Sequence, residues 1–212
     1  MKLYKDPILN FTEIFNEKNG LLIRTNILDK NGRETKVEPA MRSFPELIDI
    51  GIMGKCHVNQ MFCKKFGVDC YQANNNYEDM CLDDYKRIID ECKNKTFQVA
   101  LGGRGDPNKH EKFIEILKYT RNNGIIPNLT TTGINITKKE IIAMKKYCGA
   151  VAISMYSKII NINGKLIESN PKSEEAIKKL ISQKITTNVH YVISNETIDD
   201  VITRLENDLF PT

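Results

Sequence analysis

The segment 47–72 constrains the fold more than any other part of the sequence. It begins with an apolar run, residues 47–52, that is rich in β-branched side chains and predicts a buried strand. A loop follows in which Cys56, Cys63 and Cys70 recur every seven residues. A helix would place successive thiols about 10 Å apart along its axis, and a strand would place them roughly 23 Å apart. The loop must therefore fold back on itself if the three thiols act together.

The composition favours a reducing environment for these thiols. No run approaches the roughly 18 consecutive apolar residues of a membrane-spanning helix, and the N-terminal sequence MKLYKDPILNFTEIF lacks the apolar core of a signal peptide. We therefore expect a cytoplasmic protein that does not bind a membrane, in which clustered cysteines are metal ligands or catalytic groups. The net charge of +4 is spread along the chain without a basic block, so the sequence does not support a nucleic-acid partner.

Predicted strands and helices alternate after the cysteine loop. The predicted strands are residues 47–52, 96–101, 126–132, 150–155 and 187–193, and the predicted helices are residues 77–92, 110–122, 137–146, 173–181 and 197–209. About five βα units of this kind predict an α/β fold with a parallel sheet and helical crossovers. In such sheets the functional residues collect at the carboxyl ends of the strands.

The first 46 residues are predicted to form an N-terminal β-hairpin that precedes the main domain, residues 47–212. Residues 20–28 have partial strand alternation, and residues 33–37 are predicted to run back beside them. Between them lies Asn31-Gly32, a dipeptide that tolerates the positive φ angles of tight hairpin turns.

Polar residues and glycines follow each predicted strand of the main domain. A glycine-rich segment, residues 102–107 (GGRGDP), follows the second strand, and residues 130–133 and 154–157 end the third and fourth. On the fifth strand Asn188 and His190 alternate, so both side chains are predicted to lie on one face of the sheet. We expect these strand ends and the cysteine loop to meet at one edge.

The chemistry of the three loop cysteines leaves several interpretations open. A structural zinc usually takes four ligands and often two close Cys pairs, whereas this loop has no C-x-x-C pair and only His57 as a further donor. Three thiolates on a four-iron cluster would leave one iron free for a small molecule, which suits catalysis. Unpaired thiols in a polar loop are the remaining interpretation. Three other cysteines follow helical patterns and are predicted to be small core residues, namely Cys81, Cys92 and Cys148.

Together these features resemble the radical S-adenosylmethionine (radical SAM) superfamily. The resemblance is carried by the cysteine loop after the first strand, by Cys70-Tyr71-Gln72, by the glycine segment 102–107 and by the polar strand ends. The loop here reads C-x6-C-x6-C where the family usually has C-x3-C-x2-C, and GGRGDP stands where the family usually has Gly-Gly-Glu-Pro. The resemblance implies a partial (β/α) barrel whose [4Fe-4S] cluster cleaves SAM reductively to a 5′-deoxyadenosyl radical.

The resemblance also implies roles for individual residues. Cys56, Cys63 and Cys70 would ligate the cluster. The backbone carbonyls of Gly102 and Gly103 would receive the methionyl ammonium of SAM. Arg104 would face a carboxylate of SAM or substrate, and Asp106 would supply the carboxylate that the altered motif lacks. The full set of predicted SAM-binding residues is Gly102, Gly103, Arg104, Gly105, Asp106, Thr132, Ser154, Asn188 and His190.

The resemblance leaves the partners and the substrate open. An electron donor such as flavodoxin or ferredoxin is implied, and the substrate is unknown. The family's barrel ordinarily has six βα units, and the sixth is expected to be missing here, which would leave a sheet edge open to a partner chain. The alternative function is a non-catalytic metal-binding or interaction module, for which a truncated or split radical SAM fragment is one form.

Overall fold

A computed structural model describes residues 1–39, 41–56, 76–168, 172–195 and 197–211. The strands of these residues are β1 (Lys2–Lys5), β2 (Thr12–Phe15), β3 (Leu22–Arg24), β4 (Leu47–Ile50), β5 (Gln98–Leu101), β6 (Ile126–Thr131), β7 (Val151–Ser154), β8 (Ile159–Ile162), β9 (Lys165–Glu168) and β10 (Thr187–His190). The α-helices are α1 (Leu82–Cys92), α2 (Phe113–Asn122), α3 (Lys138–Tyr147), α4 (Lys172–Ser182) and α5 (Ile198–Glu206), and a short 3-10 helix spans Pro107–Lys109. No helix in these ranges has the length and apolar character needed to cross a membrane.

The main sheet has five parallel strands in the order β10-β7-β6-β5-β4. This confirms the α/β fold class and the run of about five βα units. Partners in register lie on one face of the sheet, and Ile50, Leu101, Leu129 and Val151 form one such row with exposures of 5% or less. The residues of this row belong to the hydrophobic core cluster, which also contains side chains of the helices. One face of the sheet is therefore buried.

The opposite face of the sheet, which we term the open face, is partly exposed. Its half-buried or exposed side chains are mostly polar, namely Asp49, Gln98, Asn128, Thr130, Ser154, Asn188 and His190, and the apolar ones are Leu47 and Ala100. A five-stranded sheet that buries one face and exposes a polar face on the other is consistent with a partial barrel. The open face is therefore where the described fold can receive a ligand.

The N-terminal extension is larger than the predicted hairpin. The turn at Gly32 is present with φ +76°, and the two predicted segments pair there through a bridge between Leu28 and Glu34 and three backbone hydrogen bonds between residues 27–29 and 33–37. In addition, β1, β2 and β3 form a three-stranded antiparallel sheet that was not predicted. The sequence concealed β2 because the buried Glu13 interrupts its apolar pattern, and this carboxylate pairs with Arg24 and with the buried Arg42.

This extension packs against the amino end of the parallel sheet. Phe15 stacks on Phe97, with ring centroids 5.1 Å apart, and both belong to a cluster with Tyr4 and Ile126. Phe97 immediately precedes β5 and Ile126 begins β6. The extension thus covers the end of the sheet that lies away from the predicted site.

The antiparallel pair β8–β9 was missed by the sequence prediction. It is closed by Asn163 and Gly164, which have φ angles of +52° and +82°. Asn-Gly between two apolar runs is the strongest short-range hairpin signal, so the sequence did contain the information. Cys81 is a second correction, because it is exposed and its Sγ accepts a hydrogen bond from the Asp84 amide at the start of α1. Cys92 is buried and Cys148 is partly buried against the core, as predicted for small core residues.

Candidate functional site

The carboxyl ends of the parallel strands bring the predicted site residues to one edge of the sheet. β4 leads to Cys56, β5 leads to the glycine segment 102–107, and β6 leads to Thr132. Ser154 and His190 are partners in register at the ends of β7 and β10. Neighbouring strands of one sheet lie about 4.8 Å apart. The carboxyl ends of all five strands therefore share one border of the open face.

The glycine segment closely approaches the start of the cysteine loop. Gly105 has φ +66°, and a Cβ on it would lie 2.5 Å from the carbonyl oxygen of Lys55 and 3.4 Å from the Cα of Cys56. A contact of 2.5 Å leaves no space for any side chain, so this position requires glycine both for its backbone angle and for this approach. The first predicted cluster ligand is therefore in direct backbone proximity to the predicted SAM-binding segment.

The other two predicted cluster ligands lie outside the described residues. Cys63 and Cys70, together with His57, belong to the range 57–75. Within the described ranges, no group of three His, Cys, Asp or Glu side chains is placed to hold a metal ion. The three-cysteine ligand set therefore stays a prediction. Its chemistry suits the implied group, because thiolates are the usual ligands of iron–sulfur clusters.

Gly102 and Gly103 leave the backbone between the ends of β4 and β5 uncovered. A Cβ on Gly103, whose φ is +84°, would have the Cα of Gly51 as its nearest neighbour at 4.0 Å, and a Cβ on Gly102 would meet only Thr130 at 3.9 Å. Because these three glycines carry no side chains, a ligand can approach the peptide groups directly. The predicted contact of the two carbonyls with SAM stays a prediction.

Asp106 joins the ends of two strands. It is 4% exposed, and its two carboxylate oxygens accept hydrogen bonds from the amide and the hydroxyl of Thr132 at 2.7 and 2.6 Å. Next to this pair, Thr131 donates to Asn108 at 2.7 Å, and Asn108 donates to Glu140 of α3 at 3.2 Å. Asp106 and Thr132 thus fix the ends of β5 and β6 relative to each other. A direct contact of either residue with SAM stays a prediction.

Arg104 contacts residues on both sides of the range 57–75. One of its terminal nitrogens donates to the carbonyl of Gly54 at 3.1 Å, and its guanidinium carbon lies 4.9 Å from the ring centre of Tyr77. Its Nε is buried and has no hydrogen-bond partner among the residues that the structure describes. Arg104 therefore contacts the base of the cysteine loop through the carbonyl of Gly54 and the ring of Tyr77, and its contact with a carboxylate of SAM or substrate stays a prediction.

The remaining predicted residues lie on the open face or at its border. Asn188 and His190 are exposed on β10, which is an edge strand of the sheet, and Ser154 is half-buried beside His190. Asp49 was missed, although it is exposed on the same face in the middle of β4. Its signal in the sequence is a charged residue between the apolar Ile48 and Ile50, which is typical of a strand with one solvated face.

His110 is a second residue that the sequence prediction missed. It is 5% exposed, its Nε2 lies 2.9 Å from the carbonyl oxygen of Met80, and its Nδ1 accepts from the amide of Lys112 at 3.0 Å. An Nδ1 that accepts leaves the Nε2 to carry the proton and to donate to Met80. Both ring nitrogens are thus satisfied inside the protein.

No protein-family model matches the chain, and no curated protein matches its sequence. Solved structures do match its fold. Streptococcus suis SuiB bound to S-adenosylmethionine has a TM-score of 0.61 at 17% identity, over 78% of this chain and 38% of that chain. SuiB bound to its precursor peptide SuiA has a TM-score of 0.60 at 15% identity, over 93% and 58%. Native anSMEcpe with bound AdoMet (SAM) has a TM-score of 0.57 at 17% identity, over 77% and 50%.

Identities of 15 to 17% are too low to transfer residues, but the shared architecture covers 77 to 93% of this chain. The chain corresponds to only 38 to 58% of the length of those proteins. The parallel sheet, its strand order and these likenesses agree with each other. The chain therefore has the fold of the radical SAM enzymes, a partial (β/α) barrel.

Proposed function

We propose that the chain is a radical SAM enzyme that binds a [4Fe-4S] cluster and S-adenosylmethionine at the carboxyl ends of its parallel strands. The observation that carries this proposal is the backbone contact of Gly105 with Lys55 and Cys56. It joins the predicted cluster loop to the predicted SAM-binding segment at one border of the open face. The SAM bound in structures of the same fold supports the choice of ligand.

The proposed cluster ligands are Cys56, Cys63 and Cys70. When bound, the cluster supplies the electron that cleaves SAM to methionine and a 5′-deoxyadenosyl radical. The role of this chain's own residues is to bind and orient SAM. The backbone carbonyls of Gly102 and Gly103 are the proposed acceptors of hydrogen bonds from the methionyl ammonium.

The other site residues have two kinds of proposed role: some contact SAM or the substrate, and others support the ends of the strands. Ser154, Asn188 and His190 lie on or beside the open face, where they are free to donate to the carboxylate or ribose of SAM or to the substrate. Asp106 and Thr132 fix the ends of β5 and β6 relative to each other, because the Asp106 carboxylate accepts both of its bonds from Thr132.

The substrate class that we propose to test first is a polypeptide, since one of the SuiB structures holds a precursor peptide. A reduced flavodoxin or ferredoxin is the proposed electron donor, and the cytoplasm is the proposed location. The edge strand β10 has one pairing side in the described sheet, so its other side is the proposed contact for a partner chain.

The second candidate is a non-catalytic metal-binding or interaction module. It is favoured by one observation, the edge strand β10, which pairs on one side only in the described sheet. Metal analysis of the purified protein separates the two candidates, because a radical SAM enzyme holds about four irons per chain and a zinc module holds one zinc.

Anaerobic reconstitution with iron and sulfide tests the first proposal. We expect about four irons per chain, an electron paramagnetic resonance (EPR) signal after dithionite reduction that changes when SAM is added, and release of 5′-deoxyadenosine. Cys56→Ala should abolish all three. The matched control is Cys81→Ser, which keeps a helix-capping side chain at an exposed cysteine outside the loop. Wild-type protein that takes up no iron, or a Cys56→Ala variant that keeps its cluster, would contradict the proposal.

A further inference from the structure

The two chain segments that flank the range 57–75 are bonded to each other. The outgoing segment is 51–56 and the returning segment is 76–81. The amide of Tyr77 donates to the carbonyl of Gly54 at 3.0 Å, and the amide of Met80 donates to the carbonyl of Ile52 at 2.9 Å. The amide of Gly54 donates to the carboxylate of Asp79 at 2.8 Å. We term these two segments the loop base.

Gly54 allows the two segments of the loop base to approach this closely. A Cβ at this position would lie 2.2 Å from the carbonyl oxygen of Glu78 and 2.3 Å from that of Tyr77. Any larger residue would have to push the returning segment away, because both obstructing atoms belong to the backbone. The close packing of the loop base therefore requires glycine at position 54.

The segment that follows β5 contributes two side chains to the loop base. Arg104 donates to the Gly54 carbonyl, which also accepts from Tyr77, and its guanidinium lies over the Tyr77 ring at 4.9 Å. His110 reaches the carbonyl of Met80 at 2.9 Å. Arg104 thus contacts both segments, and His110 contacts the returning one.

We infer that Arg104 and His110 are positioning residues that fix the loop base against the glycine segment, so that Cys56 and the predicted SAM-binding backbone keep one relative position. The inference rests on the proposed function for its link to the cluster. The contacts themselves join described residues alone. Neither side chain is assigned any contact with SAM, the cluster or the substrate.

The physical reason is loop closure. Gly54 and Tyr77 are separated by many residues in sequence, and bringing the ends of such a segment together costs conformational entropy. When the folded protein already holds the ends together, a ligand that binds within the segment does not have to supply that free energy. Arg104 suits this task because its planar guanidinium donates to a carbonyl and stacks on an aromatic ring at the same time.

Hydrogen exchange of the protein without cluster tests the inference. The variants are Arg104→Met, which keeps the apolar stem, Arg104→Lys, which keeps a donor but not the planar group, and His110→Phe. Arg87→Met on α1 is the control, because Arg87 is 83% exposed and pairs only with Asp84 among the described residues. Peptides that cover 76–81 report on the loop base, and peptides that cover β5 report on the sheet.

We expect exchange in 76–81 to rise by about tenfold or more in Arg104→Met and His110→Phe. His110→Phe loses the hydrogen bond to the Met80 carbonyl, and Arg104→Met loses the bond to the Gly54 carbonyl together with the guanidinium contact on the Tyr77 ring. Exchange in β5 should stay unchanged. Arg104→Lys should be intermediate, and Arg87→Met should match the wild type. Equal exchange in wild type and Arg104→Met would overturn the inference, and so would a parallel rise in β5, which would indicate general destabilisation.

The link to the cluster is tested on the same variants after anaerobic reconstitution. We expect Arg104→Met to hold less iron than wild type and to show a weaker SAM-dependent change in its EPR signal, with partial rescue in Arg104→Lys. Iron content and EPR signals equal to those of wild type would overturn this link. Wild-type protein that binds no iron would overturn the proposed function, whereas the exchange experiment would still decide whether the loop base is held by these side chains.

Discussion

The two carboxylate oxygens of Asp106 accept hydrogen bonds from the amide and from the hydroxyl of Thr132, at 2.7 and 2.6 Å. The two residues follow neighbouring parallel strands, β5 and β6, so one buried carboxylate fixes the ends of both. A hydrogen bond to a charged acceptor is stronger than a neutral one. This pair therefore sets the border of the open face at which Gly102 and Gly103 expose their backbone.

Thr132→Val should destabilise the protein, because it keeps the side-chain shape but removes the hydroxyl from a carboxylate that is 4% exposed. We expect a loss of about 1–3 kcal/mol in the free energy of unfolding. Urea denaturation of both proteins measures it. Thr130→Val is the matched control, because Thr130 is half-buried on the open face, and it should be nearly neutral. An equal loss of unfolding free energy in the two variants would contradict the role of the pair Asp106 and Thr132.

Gly105→Ala should cost more than an alanine at another glycine with positive φ. Gly124 has φ +77° and open space where a Cβ would lie. Gly124→Ala should therefore lose only the about 1–2 kcal/mol that a left-handed backbone conformation costs a residue with a side chain. Gly105→Ala adds an overlap with the Lys55 carbonyl at 2.5 Å, which we expect to cost about 1–3 kcal/mol more. Thermal unfolding compares the two, and equal losses would show that the contact is unimportant.

Asp6 should make the stability depend on acid pH. Burial acts to raise the pKa of its carboxyl, but hydrogen bonds from the amides of Leu9, Ser43 and Ile8 outweigh it and lower the pKa to about 2. Because the unfolded value is near 3.9, the folded state favours the ionised form. The resulting stabilisation, roughly 2 kcal/mol, is fully present above about pH 4 to 5 and is lost as the pH falls through about 2.

The measurement is chemical denaturation of wild type and Asp6→Asn from pH 7 to pH 2. The difference in unfolding free energy between the two proteins should be largest at neutral pH and should shrink towards pH 2, because the wild-type carboxylate then becomes protonated. A difference that stays constant over this range would contradict the prediction.

Asp200→Asn should weaken the attachment of the β8–β9 pair. The Asp200 carboxylate accepts from the Tyr191 hydroxyl at 2.5 Å and from the fully buried Arg204 at 2.7 Å, and it also accepts from the amide of Ile159 at the start of β8. Removing the charge weakens the hydrogen bonds that Asp200 accepts from Arg204, Tyr191 and Ile159, so we expect a loss of about 1–3 kcal/mol in the free energy of unfolding. Asp199→Asn, at the exposed neighbouring position, should be close to neutral in the same urea titration.

Periodicity predicted the parallel architecture because each element repeats the same local rule. Strands such as β7 begin with a continuous apolar run, and α3 begins with the capping box of Thr137 and Glu140, which the structure confirms. The N-terminal sheet escaped prediction because the charge that interrupts its second strand, Glu13, is neutralised by Arg24 and Arg42 from elsewhere in the chain. A pairing between distant charges is invisible to a local pattern.

The candidate site shows the same division. The residue types at the strand ends, including Gly102 to Asp106, Ser154 and His190, were named from the sequence, and the structure places them along one border. The contacts of Arg104 with the carbonyl of Gly54 and the ring of Tyr77 escaped prediction, because both residues lie more than twenty positions away along the chain.

The sequence by itself determined the alternation of strands and helices, the cysteine loop after the first strand and the glycine segment after the second. These follow from short-range periodicity and from turn residues, which act over a few positions. Only the tertiary structure decided that Gly105 lies against Cys56, that Asp106 is held by Thr132, and that Arg104 and His110 reach the loop base. Such contacts depend on which strands pair and in what register, and this is fixed by burial of the whole sheet rather than by any one segment.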